Sequence, residues 1–250
     1  YDEIVELFSP PEGNSYFINK MANHLPSDQL KTKHLVSKIT EVGEGFEMKV
    51  IDVESQAVNI ITCDQVIYAG QKHALKYIHP ASAPLFEDQQ SAPWMVVNIV
   101  VKDELPAVAY WQNEMLTEDE SFMGFVDSAT QQQANKGLRV LTGYYCLPVE
   151  SRKDLLNVEA NKSVIAEKTI KHISNYFEQD ISALVKQVHV KVMGHAMPIP
   201  KPGYLLQDKN DLRPCKKMVY AGVDNGRLPL LYEAIDSGLV AHGLLSQLKI

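Results

Sequence analysis

Met218-Val219-Tyr220-Ala221-Gly222-Val223-Asp224, followed after one loop by Tyr232-Glu233-Ala234-Ile235-Asp236-Ser237-Gly238, decides the reading of this chain. Four apolar residues running into a glycine predict a buried strand over Met218–Ala221, with Gly222–Pro229 as a loop. From about Leu230 the pattern predicts a helix. Ala234, Gly238, Ala241 and Leu245 fall on one stripe of it, and Ala234, Gly238 and Ala241 are small. Such a stripe lets a helix backbone approach its neighbour closely, against a sheet or beside a ligand. A strand, an acidic residue and a helix start also aim backbone N–H groups at one point, which favours an anion or an electron-rich carbonyl.

A second buried strand is predicted far upstream. Gln65–Ala69 predicts a strand ending at Gly70, and the β signals before it suggest a small antiparallel layer. That layer comprises Leu35-Val36, Ile39–Val42, a Gly43-Glu44-Gly45 turn, Phe46–Val53 and Asn59–Cys63. Nearer the start, Phe17, Met21 and Leu25 recur at helical spacing, with Asn14 or Ser15 as cap and Pro26 as stop. Pro80 to Pro93 is rich in Pro, Ala, Ser and Gln and reads as a crossing between domains. Beyond it, Trp94–Val101, Ala107–Trp111, Phe122–Val126 and Leu138–Leu147 are expected strands, with a polar loop ending at Asn135-Lys136-Gly137. Ala166, Ile170, Ile173 and Phe177 mark a covering helix. Val188, Val190 and Val192 alternate as in a half-buried strand with His189 outward, and Met197 to Gly203 reads as a proline-rich loop.

Composition narrows the function. The 250 residues are 45% hydrophobic and carry a net charge of −7, enough for a sizeable core and too acidic for general nucleic-acid binding. No apolar run reaches the roughly 20 residues of a membrane-spanning helix. The three cysteines, Cys63, Cys146 and Cys215, are scattered and form no CxxC pair, which argues against a disulfide scaffold and a cysteine-type zinc site. There is no GxGxxG, GxxxxGK[ST], GxSxG or HExxH, and no metal is expected. The Glu118-Asp119-Glu120 run reads as a solvated turn.

Together the stretches resemble the flavin-dependent amine oxidase and desaturase superfamily. Leu35-Val36 through Gln65–Gly70 is similar to its hairpin layer and the strand that ends beside FAD. Ala92-Pro93-Trp94-Met95-Val96-Val97-Asn98 is similar to the first strand of its substrate domain. Met218–Asp224 with Tyr232–Gly238 is similar to its C-terminal FAD motif. Gly194-His195-Ala196-Met197-Pro198 with Pro202-Gly203-Tyr204 resembles the loop before that motif in a bacterial branch.

The resemblance implies an α/β fold with an incomplete FAD-binding lobe, 1–85 and 204–250, and a substrate lobe, 86–203, built on a mixed sheet with a covering helix. It implies FAD as cofactor. Val36 would meet the adenine through its backbone, and Ala69 and Gly70 would line the dinucleotide's path. Gly222 would allow close approach to the pyrophosphate and ribityl chain, with Asp224 as nearest acid. The backbone around Glu233, Ala234 and Ile235 would face the isoalloxazine. Asn98 and His195 are the flavin-proximal candidates, expected to lie near each other.

Departures from the family pattern are also on the page. Asn98 stands where its amine oxidases hold a lysine, Leu231 replaces an aromatic residue, and Val223 separates the glycine from its acid. The glycine fingerprint of an N-terminal βαβ unit is absent. With Tyr1 in place of an initiator Met, the expectation is a fragment whose missing segment would complete the FAD lobe, or else a shortened relative. The implied activity is FAD-dependent oxidation of a C–H or C–N bond of a small organic substrate. The alternative is a binding or interaction domain that keeps the fold without flavin. The compartment stays open: cytoplasmic by default, periplasmic if an export signal lies upstream.

Overall fold

The computed structural model describes residues 10, 12–108, 110–130, 137–203, 206, 210–226 and 228–249. Asn135, Lys136 and Tyr204, which carried part of the sequence reading, lie outside the described residues. Helices are combined with antiparallel and parallel strand pairs, an α/β architecture. Two compact units form. One holds the described residues up to Asn19 together with Ser91–Met197; the other holds Lys20–Gln90 together with the chain from Pro198 onward. Helix α1, Asn14–Ala22, has no buried residue.

In the unit containing Lys20–Gln90, β1 (His34–Val42), β2 (Gly45–Asp52) and β3 (Val58–Cys63) form an antiparallel sheet in that order. The two β signals at Leu35-Val36 and Ile39–Val42 are one strand, interrupted by a register shift between Val36 and Lys38. The second sheet is the parallel pair of β4 (Val66–Tyr68) and β10 (Met218–Tyr220), with Met218 opposite Val66 and Tyr220 opposite Tyr68. Both faces of β10 are covered. Met218 and Tyr220 pack with Ile39, Phe46, Val66, Leu75 and Phe86. Val219 and the following Ala221 pack against Ala241 and Leu245 of α4, Leu231–Ser246. Burial on both sides is why this stretch is apolar throughout rather than alternating.

The crossing between the two units, between Gln90 and Ser91, falls inside the stretch from Pro80 to Pro93, but the first half of that stretch is ordered. Pro80–Phe86 is a 3-10 segment with Ser82 and Phe86 buried, preceded by the short helix α2, Leu75–Ile78. Proline and small residues suit a tight turn as well as a linker, and the apolar Phe86 side chain draws this one inward.

The unit containing Ser91–Met197 is a five-stranded sheet in the order β6-β7-β8-β5-β9. Its strands are β5 (Gln90–Lys102), β6 (Gln112–Glu114), β7 (Phe122–Asp127), β8 (Leu138–Cys146) and β9 (Val185–Ile199). Helix α3, Lys162–Tyr176, buries Ile173 and Thr169, and Ile173 joins the core formed by Val97, Ile99, Phe125 and Leu141. The Thr169 hydroxyl is 2.9 Å from that of Tyr145 on β8. Within this unit Arg139 and Asp127 form a buried ion pair, and Arg139 also donates to the carbonyls of Leu105 (3.1 Å) and Pro106 (3.0 Å).

Two expectations fail here. Ala107–Trp111 is not a strand among its described residues; the edge strand starts at Gln112. Gly194–Pro198 is not a loop but the end of β9. A proline is tolerated at such a strand end, where no ladder hydrogen bond needs its missing N–H.

Candidate functional site

The carboxyl ends of β4 and β10 lie side by side, and both chains turn there. The Ala221 N–H donates to the Tyr68 carbonyl at 2.9 Å, extending the parallel pairing by one residue. Gly222 then adopts φ +92°, and a Cβ placed on it would sit 3.1 Å from the carbonyl oxygen of Ala69. Only glycine enters this backbone region without strain, and its bare Cα leaves the two turns in close approach. Asn225 and Gly226 donate their N–H groups to the Gly222 carbonyl at 3.0 and 3.1 Å, closing the turn.

Three side chains hold this edge. The Gly222 N–H donates to the Ser237 hydroxyl at 2.9 Å, tying the turn to α4. Asp224 accepts the backbone N–H of Lys72 at 2.8 Å, tying it to the segment after β4. Lys72 is buried, and its ammonium donates to the Ala221 carbonyl at 2.8 Å while lying 5.2 Å and 5.3 Å from the ring centres of Tyr68 and Tyr220. Burial pushes its pKa down to about 8, opposed by the Asp224 carboxylate. A cation here meets the carbonyl-rich ends of two parallel strands.

Ala69, Gly70, Gly222 and Asp224 therefore share one edge. Val36, on β1, packs against the core cluster that contains Tyr220. Glu233, Ala234 and Ile235 lie in the opening turns of α4, which packs against β10. The Ala234 N–H donates to the Leu230 carbonyl at 3.1 Å, the helix's first internal bond. Helix geometry likewise commits Ile235 to a carbonyl one turn back.

The small-residue stripe is also redistributed. The buried positions of α4 are Ser237, Ala241 and Leu245. A Cβ on Gly238 would meet nothing within 4 Å, so its expected close packing on the sheet is not found.

Asn98 and His195 are not brought together. Both belong to the five-stranded sheet, but the His195 ring is 3.0 Å from the Ser91 hydroxyl, while Asn98 accepts the Thr142 hydroxyl at 2.7 Å. Ser91 and Asn98 are seven residues apart on β5, roughly 20 Å along a strand. Asn98 does point away from the core, as expected: Val97 and Ile99 are fully buried, and Asn98 is half-buried on the face opposite.

Lys72, Ser237 and Asn210 had no sequence signal of their own. Ser237 lay within the quoted motif but carried no assigned role. Asn210 accepts the Tyr220 N–H at 2.9 Å and donates to its carbonyl at 3.2 Å, standing in for a neighbouring strand.

No family model and no curated protein matches the chain by sequence. Solved structures do match by shape. One is a provisionally assigned protoporphyrinogen oxidase from Exiguobacterium sp. 255-15, with a TM-score of 0.75 at 12% identity, covering 96% of this chain and 52% of that one. The chain shares the fold of that structure over nearly its whole length. The OxyS anhydrotetracycline hydroxylase from Streptomyces rimosus matches with a TM-score of 0.52 at 12% identity, over 97% of this chain and 43% of that one. The chain thus spans about half the length of the solved structures it resembles. Among the described residues no helix is long and apolar enough to cross a membrane.

Proposed function

We propose that this chain is part of an FAD-dependent oxidoreductase of the flavin-containing amine oxidase type, acting on a C–H or C–N bond of a small organic substrate. The observation that carries the reading is the paired carboxyl edge of β4 and β10. There Gly222 at φ +92° brings one turn against Ala69, and α4 packs behind it. Ligands of open α/β sheets bind at such an edge, and the bare Gly222 backbone beside the start of α4 fits an extended anionic dinucleotide. Ala69, Gly70 and Gly222 would line its path, with Val36 at the adenine end. The backbone around Glu233, Ala234 and Ile235 would face the ring. When bound, the flavin supplies the two-electron oxidation; the residues of this chain position it and donate hydrogen bonds.

The substrate side is the half-buried face of β5 and β8, where Asn98 and Thr142 pair and the Trp94 and Tyr144 rings meet edge-to-face at 5.8 Å. An amide held by a hydroxyl offers no base for an amine, which favours C–H oxidation over amine oxidation. The same observation supports a second reading, a binding domain that keeps the fold without flavin.

Titration of the protein with FAD, followed by flavin fluorescence, separates the two. The first reading expects weak but saturable binding, too weak to survive purification, that Gly222→Val abolishes while the far-ultraviolet circular dichroism stays native. Absence of binding by the folded wild-type protein supports the second.

A further inference from the structure

Four polar side chains run through the core between β1 and β10, away from the edge described above. Glu41, on β1, is half-exposed, and its carboxylate lies 3.6 Å from Nε2 of the buried His79. His79 Nδ1 is 2.6 Å from the Ser82 hydroxyl, and Ser82 in turn bonds the hydroxyl of Tyr220; Ser82 and Tyr220 are both fully buried. One arrangement of protons satisfies every group. His79 carries its proton on Nε2 toward Glu41, Ser82 donates to Nδ1, and Tyr220 donates to Ser82.

A single added proton overturns that arrangement. Imidazolium has two donors, so Nδ1–H must donate to Ser82, which then either donates to Tyr220 or goes on accepting from it. Either way one of the two buried hydroxyl protons loses its acceptor. The other titratable groups that face Tyr220 do not replace it: Lys72 and Arg213 are donors only, and Cys215 offers a weakly accepting sulfur. A buried hydroxyl without a partner is destabilising. Tyr220 is also the residue whose carbonyl receives the side-chain amides of Asn210 (3.2 Å) and Asn225 (3.1 Å), the latter from within the Gly222–Gly226 turn.

We propose that Glu41, His79, Ser82 and Tyr220 form an acid-triggered latch. Proton uptake by His79 reverses its bond to Ser82, leaves a buried hydroxyl proton without an acceptor and loosens the seat of β10 beneath the Gly222–Gly226 turn. The latch is independent of whether flavin binds there. Burial holds His79 below the ordinary imidazole range, opposed by Glu41. The neutral, fully bonded form therefore prevails above pH ~6.5 and is lost as the pH falls through the folded-state value.

The test is a nuclear magnetic resonance titration from pH 8 to 5 on the full chain, with labelled histidine and tyrosine rings assigned through the backbone. At pH 8 His79 is expected as the Nε2–H tautomer. The Tyr220 ring signal is expected to move with the midpoint of His79, and the exposed-site variant Glu41→Gln to shift both midpoints to lower pH together. Amide exchange protection of Asn225 and Gly226, corrected for intrinsic pH dependence, is expected to be lost across the same interval. An Nδ1–H tautomer at pH 8, a Tyr220 signal that stays flat while His79 titrates, or unchanged protection would each overturn the latch.

Discussion

The ammonium of Lys72 donates to the main-chain carbonyl of Ala221 at 2.8 Å, across a gap of 149 residues in sequence. It ties the segment after β4 to the last residue before the Gly222 turn. Lysine is seldom so fully buried, and this one has no carboxylate on its side-chain nitrogen; Asp224 takes its backbone N–H instead.

That arrangement makes stability depend on alkaline pH. Its folded-state pKa is about 8, against an ordinary value of 10.5. Between those values the unfolded chain holds the proton more tightly, so Lys72's contribution to stability rises from pH 8 to 10.5. Keeping it charged at pH 7 costs about 3 kcal/mol, partly offset by its carbonyl and ring contacts. Lys72→Met is expected to unfold at an equal or higher urea concentration at pH 7, and to flatten the rise above pH 8. A drop of several kcal/mol in the variant would show that the cation is a net stabiliser.

The Arg139–Asp127 pair behaves oppositely when broken. Both side chains are almost fully buried, so Arg139→Met leaves a carboxylate without compensation. The expected loss is about 3–5 kcal/mol in urea denaturation. The double variant with Asp127→Asn should recover part of that loss, because the stranded charge is gone. Equal losses in single and double variants would place the cost in packing instead.

Gly222 and Gly238 give contrasting expectations on one short stretch. Gly222→Ala forces a side chain into φ +92° with Cβ 3.1 Å from a carbonyl oxygen, and should cost about 1–3 kcal/mol. Gly238→Ala meets nothing within 4 Å and removes a glycine from a helix interior, so it should raise stability by up to about 1 kcal/mol. Thermal melts of the two variants decide the matter. A destabilised Gly238→Ala would mean that something covers that position.

The 250-residue chain by itself is expected not to retain FAD through purification. The chain has no GxGxxG loop, so the pyrophosphate would lack the glycine-lined helix start that usually anchors it. The absorbance spectrum of the purified chain checks this, and near-stoichiometric flavin would overturn it.

Much of the site's frame could be read along the chain, though not its details. The strand at Met218 and its glycine stop were legible because β10 is buried on both faces, which leaves an unbroken apolar run. The Ala107–Trp111 strand was misread because a short apolar run does not distinguish a strand from an irregular edge. The exact start of α4, at Leu231, was not legible, because element boundaries are weakly encoded.

Local sequence by itself determined most strand and helix segments, since periodicity and turn residues act within a few positions of one another, but not Ala107–Trp111 or the end of β9. It also determined that a glycine ends β10. That Met218–Ala221 lies beside Val66–Ala69 in one parallel sheet is what the resemblance implies, and the structure bears it out. Only the tertiary structure decided that Lys72 is buried at their carboxyl edge, and that His79 meets Ser82 and Tyr220. It separated Asn98 from His195 as well. The physical reason is the same in each case. A lysine turned inward, or a histidine linked to a distant tyrosine, depends on contacts whose free energy exists only once distant parts of the chain have met; nothing in either neighbourhood alone records it.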